Sequence, residues 1–218
     1  MTITFPRDMP STRFRPGSRL WLERQVTMAP TRGGLVQVAE IGSPLWRVRY
    51  ETVPMKEETG AAWEAWRDSL RAGARTFRAV HPFRRTALAY PDGYGGLTKH
   101  AGGSFTGDAV LQAVAVALDT VTLSGLPTAF VMKPGDLLSF VPAGSKQAMH
   151  RVVEGGTASA GVLTVAIEPT IKPGFTLSAA VALGSPWFKA VLDASSFQVD
   201  WQYGRKCTVS LDAWQTLA

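Results

Sequence analysis

Polar and apolar positions alternate most strictly between residues 45 and 53. Trp46, Val48, Tyr50 and Thr52 fall on one side, with Arg47, Arg49 and Glu51 on the other. A period of two puts alternate side chains on opposite faces of a strand, so this stretch predicts a half-buried strand. Leu20 to Met28 and Leu35 to Ile41 read as two further strands. Thr31-Arg32-Gly33-Gly34 and Ile41-Gly42-Ser43-Pro44 supply the expected turns between them. The period then changes. Trp63, Trp66 and Leu70 lie at helical spacing, Glu57 and Glu58 come early, Arg67 and Arg71 late, and Gly73 follows. That order complements a helix dipole and ends in a stop signal, predicting one helix over about 56–72. The two tryptophans are expected to pack it onto a sheet. Residues 75–81 return to a strand pattern.

Residues 1–18 carry Pro6, Pro10 and Pro16 among arginines and predict an extended arm. Residues 90–107 form a Gly-rich loop, read as the seam between two halves. From Ala109 onward, apolar runs of five to eight residues alternate with Gly and Pro. Strands are expected near 110–123, 127–132, 136–141, 147–154, 161–168, 177–183, 190–201 and 206–214. Gly155-Gly156 and Pro173-Gly174 serve as turns. No second helix pattern and no fixed-period repeat is visible. The resulting domain reading is an arm over 1–18, a β domain with one helix over 19–107, and a second β domain over 108–218. In that reading the last strands are free to return to the first domain. The fold class is mainly β with one α-helix: a β-sandwich-like domain plus a small β-barrel or sandwich.

Composition refines this picture. Apolar residues make up 45% of the 218, enough for a sizeable core, while charged residues make up only 18%. Low surface charge over such a length points to surface covered by a neighbour. The net charge of +6 is uneven: residues 1–100 hold 16 Lys/Arg against 9 Asp/Glu, residues 101–218 hold 7 against 8. The arginines stand singly between apolar residues, which argues against base-specific nucleic-acid recognition and leaves at most non-specific proximity to DNA. One cysteine, Cys207, excludes an internal disulfide, and its alternating context predicts a buried small hydrophobe. No apolar run is long enough for a membrane span or a signal peptide core, so synthesis in a cytoplasm is expected.

Candidate chemistry is sparse. His81, His100 and His150 have no second ligand at metal-binding spacing. His150 sits in a strand pattern and is expected to be partly buried with a hydrogen-bonded ring. The loop Gly95-Gly96-Leu97-Thr98-Lys99-His100 lacks the ending of a phosphate-binding loop. His100, Ser104 and Asp108 form a nominal nucleophile trio, but all three lie in one Gly-rich loop. Asp136, Glu154 and Glu168 are the acids to weigh for paired carboxylate chemistry, and Asp136 follows a Pro-Gly turn. The expectation is a non-enzyme with no cofactor and no metal.

The chain as a whole resembles the distal tail and tail-tip structural proteins of long, flexible-tailed bacteriophages. The resemblance rests on Phe5-Pro6-Arg7 followed by a basic hairpin, and on Trp46 to Met55 leading into the helix, then Thr76-Phe77-Arg78 and His81-Pro82. It rests also on Lys133-Pro134-Gly135-Asp136-Leu137-Leu138-Ser139-Phe140, His150-Arg151-Val152-Val153 and Val165-Ala166-Ile167-Glu168-Pro169. It covers about residues 5–185. The resemblance implies a homo-oligomeric ring, usually a hexamer, at the lower end of a tail tube. The implied partners are the tube protein, hub or baseplate proteins and the tape-measure protein, and the implied location is the virion. Arg47 and Arg49 are then candidate lumen-facing basic residues. Interfaces are expected from the arm, the Gly-rich loop and the strand edges. The alternatives are another tail component (tube, completion or trimeric hub subunit), or a carbohydrate-binding β module using Trp187, Phe188, Trp201 and Tyr203.

Overall fold

The computed structural model describes residues 3–30, 32–140, 147–172 and 175–217. The chain is mainly β, 49% strand and 6% helical with one helix, and contains a closed six-stranded barrel.

The first half is one long hairpin and a helix. Strands β1 (Arg19–Pro30) and β2 (Val36–Glu51) pair antiparallel along their lengths. Arg32 to Gly34 turn between them, with Gly34 at a positive φ; Thr31 of the expected turn lies outside the described residues. The expected turn at Ile41 to Pro44 is not one. The strand runs through it, and the register shifts between Glu23 and Val26 absorb the extra residues as a bulge. Proline has no N–H to give a ladder and is tolerated at such a bulge. Two-residue β3 (Met55–Lys56) leads into α1 (Glu57–Ser69), and β4 (Phe77–Val80) follows.

The barrel comes next in the chain. It is built from β5 (Asp108–Val114), β6 (Thr120–Ser124), β8 (Leu137–Phe140), β9 (Ala148–Glu154), β11 (Leu163–Glu168) and β12 (Ala180–Ala182). Their closed order is β11-β6-β5-β12-β8-β9. Short β7 (Val131–Met132) and β10 (Gly156–Thr157) pair beside it. The single strand expected at 110–123 is a hairpin. Its turn at 115–119 contains neither Gly nor Pro, and Leu118 itself takes the positive φ. The expected turn at Pro173-Gly174, and Val141 of the expected strand 136–141, lie outside the described residues.

The chain then returns to its beginning. Strands β13 (Trp187–Leu192), β14 (Gln198–Gln202) and β15 (Lys206–Gln215) join the first sheet, whose order is β1-β2-β15-β13-β4, with β3 and β14 on β15. Residues 190–201, expected as one strand, are two. Asp193 makes the corner, accepting hydrogen bonds from Ser195 N at 3.1 Å and Ser195 Oγ at 2.7 Å. The barrel is therefore inserted between β4 and β13 of a seven-stranded sheet.

Each body has its own core. In the sheet, Trp46, Val48, Tyr50 and Thr52 are all buried, as their alternation predicts. Trp63, Trp66 and Leu70 of α1 pack beneath them with Phe77, Phe188 and Leu211. Gly60 lies on this inner side because a Cβ there would strike the Cys207 sulfur. The N-terminal segment folds over its own core. Phe5, Met9 and Phe14 pack against it, Arg7 bridges to Phe77, and Trp66 Nε1 donates to the Asp8 carbonyl at 2.9 Å. The Gly-rich loop is folded in as well. Tyr94 and Phe105 are buried in the barrel core, and Gly107, at a positive φ of 92°, passes directly under the Tyr94 ring.

Candidate functional site

Two surfaces stand out from the residues upward. The first is the outer half of the β1–β2 hairpin. Strand β15 pairs with β2 only from Glu51 to Arg47. Beyond that the hairpin leaves the sheet, and the run from Val36 to Leu45 spans up to roughly 30 Å at about 3.3 Å per residue. Cross-strand partners lie on one face, and the partners here are Met28 with Val38 and Pro30 with Val36. Val26 shares that face by the period of two. The resulting stripe is apolar and uncovered: Val26 is 41%, Met28 63%, Val36 61% and Val38 57% exposed. Thr27, Ala29, Gln37 and Ala39 lie on the opposite face. Such alternation marks a strand resting on a core. Here no core lies beneath it.

The second surface is the outward face of the sheet, where Arg47 and Arg49 lie. Arg19, Trp21, Arg47 and Trp214 form a ladder of guanidinium groups and rings. Arg19 stacks on Trp21 at 4.6 Å, and Arg47 on Trp214 at 4.1 Å and on Trp21 at 5.4 Å. Arg49 forks onto Asp212, with bonds of 2.7 and 2.8 Å, and Arg47 approaches the same carboxylate at 3.6 Å and Glu23 at 4.0 Å. The hydrogen bonds to Asp212 first, and its charge second, raise the Arg49 pKa. Asp212 is 5% exposed. Both arginines are thus tied to carboxylates on the sheet, which reduces the positive charge they present outward.

The other candidates do not come together. The His100 ring bonds Thr128 Oγ1 at 2.9 Å, whereas Asp108 is held by Lys99 and Thr106. Those bonds, from Lys99 first and Thr106 next, lower the Asp108 pKa to about 2. No described hydrogen bond joins His100, Ser104 and Asp108. Asp136 is buried and accepts from the backbone N–H of Leu88 and of Lys133, both at 2.7 Å, so it clips two loops together. Glu168 pairs with Arg24 at 2.9 Å, and Glu154 lies in the ladder opposite Ala166.

His81 accepts from the backbone N–H of Phe83 and Arg84; burial first, then Arg84, lowers its pKa to about 4. His150 is fully enclosed, its ring stacked on Phe140 at 5.0 Å and its Nδ1 bonded to the Pro169 carbonyl at 2.6 Å. Burial lowers its pKa to about 4. Both imidazoles are therefore neutral near pH 7. No group of three or more His, Cys, Asp and Glu among the described residues is placed to hold a metal ion. No described helix is long and apolar enough to cross a membrane.

Of the four aromatics considered for glycans, Phe188 is core and Trp187 lies under Arg78 at 4.8 Å. Trp201 and Tyr203 remain exposed, at 47% and 104%. The feature that sequence reasoning missed is the projecting arm. Its signal was present in the alternation of residues 26–38, but the expected turn at 41–44 cut the strand short.

No family model matches the chain. No curated protein matches it either.

Proposed function

We propose that this chain is a structural subunit of a phage tail tip, a distal tail protein that closes into a homo-oligomeric ring joining the tail tube to the hub or baseplate. One observation carries the self-association: the apolar stripe of the β1–β2 arm, which projects from the sheet with nothing against it. A two-stranded ribbon alone is marginal in water. Val26, Met28, Val36 and Val38 are 41–63% exposed, so covering what remains of each is worth about 1 kcal/mol, and together the four favour a neighbour. The architecture supports the tail reading: the family resemblance implies a first domain of strands plus one helix that builds the ring and a second β domain that projects outward, and this chain has a sheet bearing one helix and a separate β-barrel.

In this reading the protein acts by shape and interface area rather than by turnover, and the virion is its location. Lumen-facing roles for Arg47 and Arg49, with tape-measure protein or DNA passing by, belong to the proposal. Their pairing with Asp212 changes how that role is tested. Reversal to Glu would place like charges on a nearly buried carboxylate, so neutral Gln, which removes the charge and keeps a hydrogen-bond donor, is the informative replacement. The test of the reading is light scattering and negative-stain imaging of the purified chain. A closed ring of one mass with a central opening is expected, and a monomer at high concentration would overturn it.

A further inference from the structure

The sheet carries a second incomplete surface, at its other edge. Strand β4 is the far edge from β1 in the strand order. The N-terminal segment joins that edge only briefly: the Arg7 N–H donates to the Thr76 carbonyl at 3.1 Å, and the Arg7 carbonyl accepts from the Arg78 N–H at 2.9 Å. Past Arg7 the segment leaves the β4 ladder, keeping contact with the core at Asp8 and Met9, and next bridges to a strand at Phe14, opposite Thr52. Between these two attachments it leaves an open groove of about 360 Å³. Met9, Pro10, Phe14, Val80 and Trp187 line it together with Asp8, Arg78 and Arg85. None of the arm's apolar residues lines the groove of its own chain.

We infer that the apolar face of the β1–β2 arm seats in this β4-edge groove of a second copy of the chain. The inference rests on the ring reading and specifies its contact. The chemistry is complementary. The arm offers an apolar ribbon whose face carries one acid, Glu40, opposite Val26; it lies 3.3 Å from Arg24 of the same arm, and its side chain stays 42% exposed. The groove offers apolar Met9, Phe14, Val80 and Trp187 among polar neighbours; its Arg78 lies 3.6 Å from Asp8 of the same groove, and exposed Arg85 is the cation that faces Glu40 in the seat. The topology is complementary too. Donor and acceptor differ and sit at opposite edges of one sheet, so every copy can give its arm to one neighbour and receive an arm from the other. That is the heterologous contact from which closed rings are generated. The contact also covers the stretch of the chain most exposed to unwanted strand pairing, the outer half of β1.

Single-cysteine substitutions test the seat, because Cys207 is buried. Val38→Cys on the arm and Ser11→Cys at the groove are both exposed positions. The two variants are purified separately, mixed, and oxidised gently. A covalent heterodimer of one chain of each kind is expected. Val38→Cys mixed with Val116→Cys, on an exposed barrel turn, is expected to give none. Val38→Asp is expected to weaken self-association by about 100-fold or more, as loss of a central apolar contact does. A ring that forms without the Val38–Ser11 cross-link overturns the seat and leaves the proposed function standing. Preferential Val38–Val38 cross-linking would mean arms packed on each other and overturns the seat as well. A chain that stays monomeric throughout overturns both.

Discussion

The barrel and the sheet solve the same problem differently. Both are antiparallel, and both bury large aromatic cores. The barrel closes on itself, so its six strands leave no ladder edge, and the Gly-rich loop adds Tyr94 and Phe105 to its interior. It is complete as a single body. The sheet is open. Its β1 edge is unpaired among the described residues, and its longest hairpin runs past the last rung carrying an apolar face into solvent. One body closes its own edges, and the other leaves an edge and an apolar face open. In the proposed ring, stability belongs chiefly to the cores and assembly to the arm.

That separation can be broken in graded ways. The largest effect on stability is expected at Phe130, 1% exposed and stacked on Tyr90 at 4.8 Å within the barrel core. Phe130→Ala should cost about 3–5 kcal/mol in urea unfolding, with the mass of the assembled species unchanged.

Acid comes next. His150 has a folded pKa of about 4, below its unfolded value near 6.5. Its contribution is fully present above pH 6.5 and is lost as the pH falls toward 4, because only the unfolded chain takes up the proton in that window. Between pH 7 and pH 5 this amounts to about 2 kcal/mol. His150→Gln should flatten the pH dependence of Tm over that range.

Asp212→Asn is expected to cost about 1–2 kcal/mol, since it removes the carboxylate that two arginines share on a partly exposed face. The smallest effect on unfolding is expected on the arm. Val38→Asp should move unfolding of the isolated subunit by less than about 0.5 kcal/mol while removing the oligomer from light-scattering traces.

Much of this fold was legible in the residues. The alternation of Trp46 to Thr52 gave a strand with its core face correctly assigned, because burial on one side only leaves a period of two. The helix carried acids in its first turn, Arg67 in its last and a tryptophan stripe. Turns without Gly or Pro were not legible: Ala115 to Asp119 is closed by the Leu118 N–H donating to the Ala115 carbonyl, with Leu118 at a positive φ, and Asp193 to Ser196 by side-chain bonds at Asp193. The reverse error came from Gly42 and Pro44, which mark a bulge, with Gly42 leaving room for the Gln25 side chain. The pairing of Arg47 and Arg49 with Asp212 joins residues more than 160 positions apart, and no local pattern announces it. The strand register that brings them together is set by the whole sheet.

The most direct test compares native mass spectra of the wild-type chain and of a chain in which residues 25–42 are replaced by an Asn-Gly turn. The account predicts a single closed oligomer for the first and a folded monomer for the second. Equal masses for the two, whether both assembled or both monomeric, would contradict it.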